Sequence, residues 1–310
     1  MAKKKTILTF TKMKEKDEQV AWITCYDYPT AVAAERAEID MILVGDSGGM
    51  CLLGYKDTHP VTMEEMIMMC KAVRRGAPNT FIIGDMPQGS YEVSVEEAVR
   101  NALRFVKEAG CDAIKLEGSH LRAVRAITRA GVNVVGHLGL TPQSSETFGG
   151  YRVQGKTAES LLQICLDAYD LEEAGICFLL LEAMPELPAQ KVCALLKVPT
   201  YGIGVGGKVD GQLLIVADLL GNYPDFKPKF AHNFVADVLI RQEDLGAASI
   251  EVGSFLDLAK ESIRLYSDEV KQGHFPYQEN IYELGKEEEA FIDEFEAVYQ
   301  ENKVRYKHGR

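Results

Sequence analysis

The sequence predicts an α/β fold on a parallel sheet, with a closed (β/α)8 barrel favoured over the doubly wound open sheet that shares its local pattern. Three observations predict it. Short apolar runs alternate with amphipathic stretches of helical length from about Ala21 to Gly204, seven strand candidates keep that alternation without a break, and 310 residues suffice for one barrel with extensions. The strands are expected at Ala21–Cys25, Met41–Val44, Thr80–Gly84, Ala113–Leu116, Val132–Gly136, Cys177–Leu181 and Thr200–Ile203, with an eighth near Lys229–Ala231. Helices are expected around Tyr28–Ala37, Met63–Arg75, Ser94–Ala109, Leu121–Ala130, Thr157–Ala174 and Pro188–Leu196. After about Asn233 the pattern changes: Asp237–Gln272 reads as mainly helical, and Glu283–Tyr306 as a charged helix whose Glu287–Glu289 run faces water or another subunit. The chain therefore divides into a barrel over 1–232 and a helical extension over 233–310, packed on the barrel or on a neighbouring subunit.

Composition excludes several classes of function. The formal net charge is -12, so a phosphate backbone is repelled and nucleic acid is not an expected partner. The seven cysteines are odd in number, scattered and mostly set in apolar stretches; they read as reduced core thiols rather than a zinc site. Met1–Lys5 is basic but polar residues follow it, so no export signal is expected. Charged residues interrupt every apolar stretch before it reaches bilayer-spanning length, which makes the cytoplasm the expected compartment and leaves no membrane partner. No solenoid-period repeat or low-complexity linker is present.

The informative feature is how the apolar runs end. Ile42-Leu43-Val44-Gly45 stops at Asp46, Ile82-Ile83-Gly84 at Asp85, Ile114-Lys115-Leu116 at Glu117, and Leu179-Leu180-Leu181 at Glu182. In a parallel barrel the carboxyl ends of the strands open on one face, so the four acids can converge, and crowded carboxylates call for a hard cation such as Mg2+. An acid after a strand can also be the N-cap of the next helix. Asp46 and Asp85, however, precede glycine- or proline-containing turns, Ser47-Gly48-Gly49 and Met86-Pro87-Gln88-Gly89. Lys115 shares a strand face with Glu117, and either pairs with it or grips a substrate carboxylate. His137, after Val132–Gly136, either orients a carboxylate, bonds a substrate, or makes a structural hydrogen bond in its loop. The run Gly202-Ile203-Gly204-Val205-Gly206-Gly207 has the wrong spacing and place for a dinucleotide fingerprint; its glycines serve a tight turn or a close ligand approach.

Together, Val44-Gly45-Asp46-Ser47, Gly84-Asp85-Met86-Pro87, Lys115-Leu116-Glu117-Gly118 and Gly136-His137-Leu138-Gly139-Leu140-Thr141-Pro142-Gln143-Ser144 resemble the ketopantoate hydroxymethyltransferase family. The resemblance continues through Phe148–Gly155, Leu181-Glu182, Gly202–Gly204, Asp210–Gln212 and Lys227–Phe230. It implies a TIM barrel of the phosphoenolpyruvate/pyruvate superfamily, assembled as a homo-oligomer that is often decameric. The implied reaction moves a hydroxymethyl group from 5,10-methylenetetrahydrofolate to 3-methyl-2-oxobutanoate through a metal-stabilised enolate, at the first committed step of pantothenate synthesis. By match, Asp46 and Asp85 hold one Mg2+ per subunit with Glu117 near it through its hydration shell, Ser47 and Lys115 bind the oxo acid, and Glu182 is the general base; Asp46, Asp85 and, from its position, His137 are counted with the substrate-binding residues.

The chain departs from the family pattern around the pocket. Gly49 stands where Leu is usual, Gln88 where Phe is common, and Ala217 where a His usually precedes Asp218. Ala183-Met184-Pro185 replaces Cys-Val-Pro, Val205–Lys208 replaces an Ala-Gly turn, and Phe275-Pro276 leads to Tyr277-Gln278-Glu279-Asn280 in place of a Glu-His-Ser-Phe signature. These departures keep open a divergent lyase or aldolase acting on another 2-oxo acid, and, in a different class, a non-catalytic barrel.

Overall fold

The computed structural model describes residues 4–245, 252–284, 290–291 and 293–299. Eight parallel strands close in chain order: β1 Val20–Thr24, β2 Met41–Val44, β3 Phe81–Asp85, β4 Ala113–Glu117, β5 Val134–Gly139, β6 Phe178–Glu182, β7 Thr200–Ile203 and β8 Gly211–Leu214. The helices are α1 Ile7–Glu15, α2 Tyr28–Arg36, α3 Gly48–Cys51, α4 Met63–Gly76, α5 Val95–Ala109, α6 Leu121–Arg129, α7 Ala158–Ala174, α8 Glu186–Leu195, α9 Val216–Leu220, α10 Phe234–Leu245 and α11 Phe255–Lys271. Side-chain caps mark several starts: Thr62 and Glu65 form a reciprocal capping box on α4, and Ser94 and Thr157 accept from Glu97 N and Ser160 N on α5 and α7.

Two expectations are corrected. The eighth strand is Gly211–Leu214, not Lys229–Ala231, which lies at the mouth with Phe230 facing the central cavity. The real strand hides from a hydropathy reading because it is short, begins with glycine and buries the polar Gln212, whose Nε2 donates to Gly206 O at 3.0 Å. Its glycine is obligatory, since a Cβ at Gly211 would meet Val20 O at 2.2 Å. Second, α1 was not anticipated at all. Of the expected charged helix over 283–306, the described residues 290–291 and 293–299 are helical and the Glu287–Glu289 run lies outside the described residues.

Alternation along the strands builds two cores. One set, including Ala21, Ile23, Ile42, Val44, Ile82, Ile114 and Leu179, faces the helices; the other, including Trp22, Met41, Leu43, Phe81, Phe178 and Tyr201, fills the barrel. At the amino-terminal end of the strands, Phe10 of α1 closes this inner core, edge-on to Phe81 at 5.4 Å and to Phe178 at 5.6 Å. Helices α10 and α11 pack on each other, and α11 lies against α2 and β1. There Tyr266 OH donates to Trp22 O at 3.1 Å and Gln212 O at 2.7 Å, stitching β1 to β8. The buried Asp40 accepts from Ala21 N at 2.9 Å and pairs with Lys5 and, at 3.5 Å, Lys271.

Because Phe10 is fully buried among aromatic neighbours, Phe10→Ala is expected to lower stability by about 3–5 kcal/mol, read as a shifted urea midpoint. A loss within the surface-mutation range would show that α1 is not part of the core.

Candidate active site

The inward-facing register that begins as an aromatic floor ends as charge. On β3 it runs from Phe81 and Ile83 to Asp85, on β4 from Ala113 to Lys115 and Glu117, on β5 from Val135 to His137, and on β6 from Phe178 and Leu180 to Glu182. The strands extend past the apolar runs, so Asp85, Glu117 and Glu182 are terminal strand residues and His137 lies inside β5. Pairing sets Asp85 beside Lys115 and Glu117 beside His137. None of the four acids caps a helix: Ser47, Ser94, His120 and Pro185 occupy those positions.

These residues meet in a cavity of about 230 Å³ lined by Asp46, Ser47, Asp85, Lys115, Glu117, His137 and Glu182, every site residue the sequence indicated. Lys115 Nζ lies 2.8 Å from Asp85 Oδ1 and 3.5 Å from Glu117 Oε1, so it pairs with Glu117 on its own strand and more closely with Asp85 on the neighbouring one. His137 spans two carboxylates, Nδ1 lying 3.5 Å from Glu117 and Nε2 3.3 Å from Glu182. That geometry favours the carboxylate-orienting role among those open for it. Ser47 Oγ is 2.9 Å from Tyr26 OH, which is 2.7 Å from Thr24 Oγ1. Gly139, at φ +90°, lets β5 pass close to the base strand: a Cβ there would meet Glu182 O at 2.4 Å.

The electrostatics show an unbalanced site. Burial, then repulsion from Asp85 and Glu117, raises the Asp46 pKa well above the carboxylate range; burial also raises Asp85, against the pull of Lys115. Burial opposes the charge on Lys115, but Asp85, Glu117 and Asp46 outweigh it and raise its pKa. Glu117 is lowered, burial notwithstanding, chiefly by Lys115 and His137. His137 is disfavoured as a cation by burial and by Lys115, yet Glu117 and Glu182 push it up to about 9.

Asp46 and Asp85 adjoin, Asp85 Oδ2 accepting from Asp46 N at 3.1 Å. Among the described residues no three His, Cys, Asp or Glu side chains form a ready metal cage. What the pair offers is two buried hard-oxygen donors with Lys115 as the near cation, on the Asp85 side. That donor set fits Mg2+, which takes one or two carboxylates and completes its shell with water and substrate oxygens.

Residue-by-residue reading passed over Gln143, the brace of the site. Buried at 2% exposure, it donates through N to Glu117 Oε2 at 3.0 Å and through Nε2 to Asp46 Oδ2 at 2.9 Å and Met86 O at 3.0 Å. Its Oε1 accepts from Tyr91 OH at 2.5 Å, and its carbonyl accepts from Gln88 Nε2 at 2.9 Å. Gln88, a departure from the family pattern, thus ties two mouth loops together. Gly49, another departure, is fitted to this chain: a Cβ there would strike Val61 Cγ2 at 2.3 Å.

The ketopantoate hydroxymethyltransferase family model matches residues 4–278. The chain is 48% identical over 305 residues to 3-methyl-2-oxobutanoate hydroxymethyltransferase of Alkaliphilus metalliredigens, covering 98% of this chain and 100% of that one. It is 45% identical over 279 residues to the enzyme of that name from Moorella thermoacetica, covering 89% and 97%. Among solved structures it is similar to 2,3-dimethylmalate lyase, a PEP mutase/isocitrate lyase superfamily member, with TM-score 0.54, 15% identity and coverage of 84% and 94%. It is also similar to phosphonopyruvate hydrolase in complex with oxalate and Mg2+, with TM-score 0.54, 14% identity and coverage of 85% and 97%. At such identities the structural likeness is one of fold.

Two outcomes are expected. Gln143→Leu should weaken Mg2+ binding roughly 10- to 100-fold in calorimetric titration while far-UV circular dichroism is unchanged; undiminished affinity would leave the brace without a role. In chelator-treated protein, His137 has its pKa raised from 6.5 to about 9 by folding. Its protonation therefore stabilises the fold fully below 6.5, and the contribution fades as pH rises through about 9. The stability gap between wild type and His137→Gln should be widest at the acid end of that window and narrow above it; a gap flat with pH would contradict the assignment.

Proposed function

The chain belongs to the ketopantoate hydroxymethyltransferase family, and we propose that its carboxylate-rich barrel mouth is where it carries out the family reaction. The enzyme is a 3-methyl-2-oxobutanoate hydroxymethyltransferase. The observation that carries the site assignment is the contact of Glu182, only 15% exposed, with a His137 whose protonation the neighbouring carboxylates favour, beside the Asp46–Asp85 pair and Lys115.

In this reading Asp46 and Asp85 hold one Mg2+ per subunit, with Glu117 behind them. When bound, the ion supplies a Lewis acid that withdraws electron density from the 2-oxo group and acidifies the adjacent C–H. Lys115 and Ser47 receive the substrate carboxylate, Ser47 being set by Tyr26. Glu182 removes the C3 proton, and His137, 3.3 Å away, orients its carboxylate. Leu43, Leu180, Ile203 and Leu213 line the cavity and keep the reacting carbon dry. The C3 carbanion bonds to the one-carbon unit of 5,10-methylenetetrahydrofolate, tetrahydrofolate leaves, and water supplies the hydroxyl of 2-dehydropantoate, the product that feeds pantothenate synthesis.

We also place the enzyme in the cytoplasm as a homo-oligomer. Its seven free thiols suit a reducing compartment, and among the described residues no helix is long and apolar enough to cross a membrane.

Asp46→Ala is expected to abolish Mg2+-dependent binding of 3-methyl-2-oxobutanoate in calorimetry. Glu182→Ala should retain binding but slow C3 hydrogen–deuterium exchange by about 10²- to 10⁴-fold, followed by NMR in deuterated buffer. Unchanged exchange in Glu182→Ala would remove that residue from proton transfer.

A further inference from the structure

The cavity has a second wall that the oxo acid does not use. Asp218, in the first turn of α9 just past β8, lines it together with Met50, Cys51, Tyr223 and Phe226. The two halves are continuous. Asp218, Cys51 and Ser47 line one cavity, and Ser47 Oγ, where the substrate carboxylate is placed, lies 2.9 Å from Tyr26 OH.

An acid in a first helical turn is ordinarily accounted for by the helix dipole and by water. Asp218 is not so placed, because it is largely withdrawn from solvent. Burial pushes its pKa up to about 7, with only Lys227 opposing. Among the described residues its carboxylate has no hydrogen-bond or ion-pair partner, so a partly buried acid that lines the cavity is free to accept donors from a ligand there. Across the rim Phe226 is 57% exposed and Tyr151 49% exposed, two large aromatic faces directed at the same opening. A bare carboxylate framed by aromatic and apolar side chains complements a flat heterocycle that carries adjacent N–H donors on one edge.

We propose that Asp218 is the recognition residue for the folate co-substrate, its carboxylate accepting the paired N–H groups of the pterin ring while Phe226 covers the ring face. Gripping the pterin by that edge leaves the opposite edge, with the transferable one-carbon unit, turned toward Ser47 and the oxo acid. This deepens the reading above and rests on it, since the one-carbon donor must be a reduced folate.

The test separates the two halves of the cavity. Wild type and Asp218→Asn are compared in steady-state turnover with 5,10-methylenetetrahydrofolate, and in C3 hydrogen–deuterium exchange of 3-methyl-2-oxobutanoate without folate. The variant is expected to raise the KM for the folate roughly 10- to 100-fold, the worth of hydrogen bonds to a charged group, with the KM for the oxo acid and the folate-free exchange rate unchanged. A donor lacking the pterin 2-amino group should bind wild type as weakly as the variant binds normal donor, and the variant should scarcely distinguish the two donors. An unchanged folate KM in a wild-type background that turns over with folate overturns this assignment alone. Equal loss in folate-free exchange makes Asp218 structural and overturns it too. No folate-dependent turnover by wild type overturns both this assignment and the donor on which it rests.

Discussion

Repulsion among buried carboxylates is the constraint around which the molecule is arranged. Asp46, Asp85 and Glu117 share a dry space with one ammonium, Lys115, and at contact distances in a low dielectric each unbalanced charge is felt strongly. The barrel is what makes that arrangement tolerable. Its ladder fixes Asp85 against Lys115 and Glu117 against His137, so the groups cannot splay apart and attraction acts at fixed separations.

Much of this was legible because a strand has a period of two and a parallel barrel has one open face. Apolar runs ending in Asp46, Asp85, Glu117 and Glu182 carry both facts in their spelling, and all four do face one cavity. What escaped sequence reasoning has physical reasons. Strand β8 buries Gln212 because Tyr266 and Gly206 satisfy its polar groups, and a hydropathy pattern cannot see such partners. Helix α1 is amphipathic only in the company of Phe81 and Phe178, residues far along the chain. Gln143 works by reaching two other loops and the end of β4, so no local spacing announces it; its signal is its place in the matched Gly136–Ser144 stretch.

The departures from the family pattern read differently once neighbours are known. Gly49 yields its volume to Val61, and Gln88 gives a hydrogen bond to the loop that braces Asp46. Ala183, at φ +47°, makes a left-handed turn directly after Glu182, a conformation that non-glycine residues adopt sparingly. These residues alter the supports of the pocket while leaving its acids, its lysine and its histidine in place.

The seating of Phe10 has a consequence for biogenesis. It precedes in the chain both aromatic rings it rests on, so a ribosome delivers it well before Phe178 exists. Until the sixth strand emerges, Phe10 has only the Phe81 half of its aromatic seat. Sealing of the barrel base therefore waits on the sixth strand, and a shorter nascent chain leaves part of that apolar seat unmade.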